Sequence, residues 1–188
     1  MRIGYCYYSS LLVISIFFMG CSNQTKKNLP ADTVAYGNLN FGVKESEYLK
    51  KYKDSTVMIE NGVYQLKPFF IPHDHRLYML HLISESRHTA DITPFVIDDM
   101  NTLVNKMISV YGNPTIYLKM GDTKQLEPNK VSWYCRWILK NKLILIGTAR
   151  IKDDDTYYRD NRNYVAVCEI TNVPLKAIAN TQILYLEF

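Results

Sequence analysis

The chain has 188 residues, 47% of them hydrophobic and 21% charged, and its 22 Lys and Arg against 18 Asp and Glu leave a formal charge of +4. That length supports one domain with a real core or two small packed halves; the hydrophobic fraction excludes a disordered chain, and eight Gly with seven Pro exclude collagen-like or low-complexity sequence. A charge this small and this scattered does not point to nucleic acid, while fifteen Tyr suit a β-rich fold with one amphipathic face.

The N-terminus reads MRIGYCYYSSLLVISIFFMGC, with Arg2 near the start, an apolar run from Leu11 to Met19, and then Gly20-Cys21. A positive start, a short apolar run and a small residue before the cut are the marks of a secretory signal. Cys21 directly after Gly20 makes the segment resemble a bacterial lipoprotein signal, with Phe18 where Leu is usual and Met19 bulkier than the common Ser or Ala. The resemblance implies that residues 1–20 are removed and that the Cys21 thiol carries diacylglycerol. Several acyl chains then give stable anchoring, which a single chain does not. A retained membrane helix over Ile3–Gly20 is a rival of borderline length, since about 20 residues span a bilayer. Its flanks fit poorly, because Lys26 and Lys27 outweigh Arg2. A plain signal peptide cut elsewhere is the other rival. Residues 21–36 are polar and aperiodic and read as a flexible tether. Ser22 stands where Asp would signal inner-membrane retention in enterobacteria, and no acidic run of the Bacteroidetes surface-export kind follows. The expected location is the outer membrane, facing the periplasm.

Residues 37–188 are expected to form one domain. Phe41-Gly42 opens it, and VKESEYLKKYK reads as a short helix. TVMIE and VYQLKPFFI flank Asn61-Gly62, the favoured centre of a two-residue hairpin turn. A turn at 72–75 leads into a strand over Arg76–Ser84. A long helix follows, with Asp91 or Thr93 to cap it, Pro94 in its first turn, and Ile97, Met100, Val104, Met107, Ile108 and Tyr111 at helical spacing. Gly112 and Pro114 stop it. Then come a short strand at Thr115–Met120, the strands VSWYCRWIL and LILIGTA joined through Lys140-Asn141-Lys142, a polar loop, the strand NYVAVCEIT, one helical turn at PLKAIAN, and a last strand at ILYLEF. Laid end to end this is helix-β-β-β twice. Tight turns favour antiparallel pairing, and an apolar-faced helix on such a sheet predicts an α+β domain with helices on one face.

Phe41-Gly42 before a short charged helix, and Tyr111-Gly112-Asn113-Pro114 closing a long one, resemble small secreted bacterial lipoproteins, many with a β-lactamase-inhibitor-protein-like fold. The resemblance covers most of residues 41–149. It implies helices on one side of a curved sheet and roles in envelope assembly or protein inhibition, and it supplies no catalytic residues.

Several groups invite chemistry. His73-Asp74-His75 alternates two imidazoles that can face one metal ion, with His81, His88 or Glu85 as third ligand, although the turn alone explains His73 and Asp74. Asp153-Asp154-Asp155 with Asp160 offers oxygen ligands but lacks the Gly and terminal Glu of a calcium loop. Lys50-Lys51-Tyr52-Lys53 is a basic patch suited to solvent or to anionic head groups. Cys135 and Cys168 fall mid-strand; with a strand between them they lie about 9 to 10 Å apart, too far for a disulfide. Strict alternation puts Trp133, Cys135 and Trp137 on one face, under the helix, and Tyr134 and Arg136 on the other. Tyr134, Arg136 and Tyr117 are therefore the candidate binding surface. No phosphate-cradling glycine loop, Gly-x-Ser-x-Gly or Cys-x-x-Cys is present. The expectation is a non-catalytic binding or adaptor protein without cofactor, held to the membrane through Cys21 and engaging a protein partner. Glycan binding through aromatics is the alternative, and a metal-dependent hydrolase at 73–75 a weaker one.

Overall fold

Alternating apolar and polar residues after position 55 commit the chain to strands that bury one face. The computed structural model describes residues 32–52, 55–89, 92, 94–119, 126–151 and 162–186. In chain order they form β1 (Val34–Tyr36), β2 (Leu39–Asn40), α1 (Glu45–Tyr52), β3 (Thr56–Ile59), β4 (Gly62–Phe70), β5 (Leu77–Ser84), β6 (Arg87–Thr89), α2 (Pro94–Tyr111), β7 (Ile116–Tyr117), β8 (Val131–Ile138), β9 (Lys142–Ile151), β10 (Arg162–Asn172) and α3 (Val173–Leu186). The fold is α+β. One antiparallel sheet runs in the order β3-β4-β5-β10-β9-β8-β7, with β6 also pairing β10, and β1 and β2 form a separate small ribbon. The strands after α1 thus supply one side of the sheet and those after α2 the other, meeting where β5 pairs β10.

Two helices cover the first face. Of the positions read at helical spacing, α2 buries Met100, Val104 and Met107 in the core, joined by Leu103, while Ile97, Ile108 and Tyr111 pack partly buried at its margin. The buried side chains meet Leu80 and Leu82 of β5, Ile144 and Ile146 of β9, Ala166, Cys168 and Ile170 of β10, and Trp137 of β8. Each fully buried aliphatic side chain of this size contributes about 1.5–3 kcal/mol. The helix ends where expected: Gly112 has φ +80°, its amide bonds the Ile108 carbonyl at 2.9 Å, and its own carbonyl accepts from Trp137 Nε1 at 2.8 Å. α1 adds Tyr48, buried and edge-on to Phe70. The proposed cap residues Asp91 and Thr93 lie outside the described residues.

Four details differ from the reading of the sequence. The β3–β4 turn is centred one residue earlier, on Glu60-Asn61: Ile59 pairs with Gly62, and Glu60 takes the left-handed conformation at φ 52°. Gly62 is instead a paired strand residue, and the Tyr64 ring occupies the space a Cβ there would need. At the N-terminus, the last residues of the expected tether are β1, with Ala35 buried. The third difference is the tail, where a strand over ILYLEF was expected: Asn172 Oδ1 caps the Leu175 amide at 3.0 Å, and α3 continues to Leu186. An apolar run alone does not distinguish a strand from a helix.

The fourth difference moves a tryptophan. In β8, Trp133 pairs with Gly147 and Cys135 with Ile146, which leaves Tyr134 as the extra residue of a β-bulge. The alternation slips at that point. Cys135 and Trp137 enter the helix-covered core with Tyr134 packed at its margin, while Trp133 joins Ile83, Val131, Ala149, Val165 and Val167 on the second face. Gly147 makes the bulge feasible, since a Cβ there would collide with the Ser132 carbonyl and lie 2.8 Å from Trp133 Cα.

Candidate functional site

On the second face the strand register aligns one row of side chains across six strands. Ile116 lies opposite Arg136, Arg136 opposite Leu145, Leu145 opposite Glu169, Glu169 opposite His81, and His81 opposite Lys67. Directly opposed residues share a face with their Cβ atoms about 4.5–5.5 Å apart. Four of the six side chains in this row are ionisable, and they divide into a satisfied group and an unsatisfied one.

The satisfied half centres on Glu169, which is 9% exposed. One carboxylate oxygen lies 3.3 Å from His81 Nε2; the other accepts from Thr171 Oγ1 at 2.9 Å and from Lys176 Nζ at 3.3 Å. Burial by itself would raise this carboxyl, but the His81 hydrogen bond, the Lys176 charge and the Thr171 hydroxyl together bring it down to about 2. His81 is packed against the Phe69 ring at 4.6 Å between centroids, and Lys67 Nζ stands 5.8 Å over that same ring. Lys176 belongs to α3, so this cluster clamps α3 to the sheet. A carboxylate with both oxygens engaged is a structural tie.

Arg136 is the unsatisfied half. Its Nε is buried without a hydrogen-bond partner, and among the described residues no carboxylate pairs with its guanidinium. Glu169, two strands away, is taken by His81, Thr171 and Lys176. The residues set around Arg136 by register are Ile116 and Leu145 on either side and Ile138, 52% exposed, two positions along the strand.

The expected binding trio is therefore split. Tyr117 is 56% exposed and meets the Tyr134 ring edge-on at 5.8 Å, so these two come together at the β7–β8 edge. Arg136 does not share their side, because the bulge turns Tyr134 towards the helix-covered core.

The His73–His75 turn is organised by its own contacts. His75, at φ 54°, places Nδ1 2.8 Å from Glu45 Oε2, and its carbonyl accepts the Glu45 amide at 2.8 Å. Asp74 pairs with Arg76; slight burial raises its carboxyl, but the Arg76 hydrogen bonds and the Lys44 charge hold it below the ordinary range. Lys44, Glu45, His73, Asp74 and His75 line an open depression of about 540 Å³. Among the described residues no group of three or more His, Cys, Asp or Glu is placed to hold a metal ion. His81, offered above as a third ligand, is engaged by Glu169 instead.

Cys135 and Cys168 are free, buried thiols, both opposite Ile146 from either side. Desolvation pushes the Cys135 thiol up to about 12 and raises that of Cys168 as well. Lys50 and Lys51 close the last turn of α1, opposite in sign to its C-terminal dipole. Cys21, Lys53, Asp153-Asp154-Asp155 and Asp160 lie outside the described residues.

Sequence reasoning missed two buried ionisable residues. Glu169 is a lone acid within the apolar strand VAVCEIT, a visible signal, but its partner His81 is 88 residues away. Lys142 reads as a turn residue yet is fully buried, with Nζ 3.2 Å from Tyr111 Oη and desolvation lowering its pKa. Beside Tyr111, an apolar cavity of about 240 Å³ opens between β1 and α2, lined by Val34, Tyr36, Met107 and Val110. No protein-family model matches this chain, and no curated protein or solved structure matches it.

Proposed function

We propose that this chain is a lipid-anchored envelope protein whose α+β domain binds a protein partner without catalysis, held at the outer membrane on the periplasmic side. The observation that carries the binding reading is the second sheet face. There Arg136, with a buried and unpartnered Nε, stands beside the exposed Ile138, and arginine in an apolar frame is a common anchor of protein interfaces. The acid-base pairs seen elsewhere, His81 with Glu169 and His75 with Glu45, support this reading, because their contacts tie elements of the fold together. The anchor is read from Arg2, the apolar run to Met19 and Gly20-Cys21. Acyl chains at Cys21 localise the domain, and the polar segment after it gives reach.

Intact-mass analysis of protein extracted from membranes tests the anchor. The mature chain is expected to begin at Cys21 with a diacylglycerol adduct, and Cys21→Ser to remain unprocessed. A mature chain that begins elsewhere, or that carries no lipid, refutes it. Chemical cross-linking in intact envelopes tests the module. One dominant protein adduct is expected, whereas recovery of cell-wall glycan alone favours a second reading. That reading rests on Tyr117, an exposed ring backed edge-on by Tyr134 and so presented for stacking on a sugar. It predicts quenching or enhancement of tyrosine and tryptophan emission by peptidoglycan fragments, and loss of that response in Tyr117→Ala.

A further inference from the structure

A void within a fold forfeits dispersion contacts along its walls, so a cavity lined by apolar side chains favours an apolar guest. The cavity between β1 and α2 is open to such a guest: Met107 lies buried at its base, while Val34, Tyr36, Val110 and Tyr111 are each part-exposed in its walls. Size narrows the choice. An apolar cavity of about 150 Å³ accepts benzene. On that scale the volume here, about 240 Å³, accommodates an unbranched chain of roughly ten carbons.

Charge sets the head group. Lys106 is the one charged residue of the lining and the one basic residue of α2. It is part-exposed, and among the described residues no carboxylate pairs with it. Desolvation raises the Tyr36 hydroxyl and pushes that of Tyr111 up to about 12, so both stay neutral and add no negative charge to the wall. Asp32, whose charge reaches Tyr111, also acts on the buried Lys142, which offsets it. The lining thus presents a single positive charge beside an apolar slot. A carboxylate matches it one for one, whereas a phosphate monoester carries nearly two negative charges.

We propose that this cavity is a binding site for a medium-chain fatty acid, its tail of about ten carbons lying against Val34, Met107 and Val110 and its carboxylate paired with Lys106. The site lies apart from the sheet face assigned to the protein partner and does not depend on that reading.

The test uses the full chain in its own membranes, with a decanoic acid that carries a photo-reactive diazirine near its terminal carbon. Irradiation is expected to label the protein saturably, with adducts mapped by mass spectrometry to residues 34–37 and 106–111. Decanoate is expected to displace the probe and 1-decanol, which has the same tail without the charge, to displace it poorly. Lys106→Gln keeps the length of the stem and is expected to raise the decanoate concentration needed about threefold to tenfold. Val110→Trp, which fills the cavity from its part-exposed wall, is expected to abolish labelling there. Labelling that does not saturate, adducts confined to other segments, equal displacement by decanoate and 1-decanol, or full labelling in both variants overturns the proposal. Labelling that appears only in Cys21→Ser assigns the cavity to the chain's own acyl group and overturns it too.

Discussion

Replacing Glu169 by Gln preserves the shape of the side chain and removes its charge from between His81, Thr171 and Lys176. The folded carboxyl sits at about 2 against an ordinary 4.5, which corresponds to roughly 3 kcal/mol of stabilisation from ionisation in the folded state. Only 11% of the side chain is exposed, so solvent screening discounts this little. Because folding lowers this pKa, the stabilisation is fully present above about pH 5 and is lost as pH falls through the ordinary value towards 2. Glu169→Gln is therefore expected to lose about 3 kcal/mol at about pH 6.5 and only about 1 kcal/mol at about pH 3, read from urea unfolding followed by tryptophan emission. For a chain of this size the first figure equals a drop in Tm of roughly 6–12 °C. Since Lys176 anchors α3 to this carboxylate, amide exchange in α3 should also quicken at neutral pH. A loss under about 0.5 kcal/mol near neutrality, or a deficit of equal size at both pH values, refutes the reasoning.

Gly147→Ala drives a methyl group onto the Ser132 backbone at the β8 bulge. It is expected to cost about 2–3 kcal/mol, measured as a lowered urea midpoint, and an unchanged midpoint would show that the bulge relaxes freely. Cys135 and Cys168 are buried thiols with raised pKa values, and neither should react with an aromatic disulfide reagent in the native protein at about pH 8. Both should label fully in denaturant. Peptide mapping that finds either one modified under native conditions contradicts the packing described.

The elements that announce themselves locally were legible in the sequence. Pro94, helical spacing from Ile97 to Tyr111, and Gly112 specify α2 without help from the rest of the chain, and the repeated order of helix then strands specifies the α+β class. Errors arose where a neighbour in space decides. Gly62, read as a turn residue, is a paired strand residue whose absent Cβ leaves room for the Tyr64 ring. The bulge at Tyr134 undid a face assignment that strict alternation had made, and its one trace in the sequence is Gly147 within LILIGTA, a glycine inside a strand pattern. The candidate surface suffered directly: Arg136 keeps the face read for it, Tyr134 does not, and Tyr117 follows Tyr134. The clamp on α3 could not be read, because His81, Glu169 and Lys176 converge only after β5, β10 and α3 have packed.

The central claim is that the second sheet face around Arg136, and not the face under α1 and α2, meets a protein partner. A photo-reactive benzoylphenylalanine at position 138, beside Arg136, tests it in intact envelopes, with the same residue at position 95 as control. Phe95, 67% exposed against 52% for Ile138, stands on α2, on the opposite side of the sheet. The account predicts one dominant protein adduct from position 138, diminished by Arg136→Met, and none of that mass from position 95. The same adduct from both positions, or from position 95 alone, contradicts it.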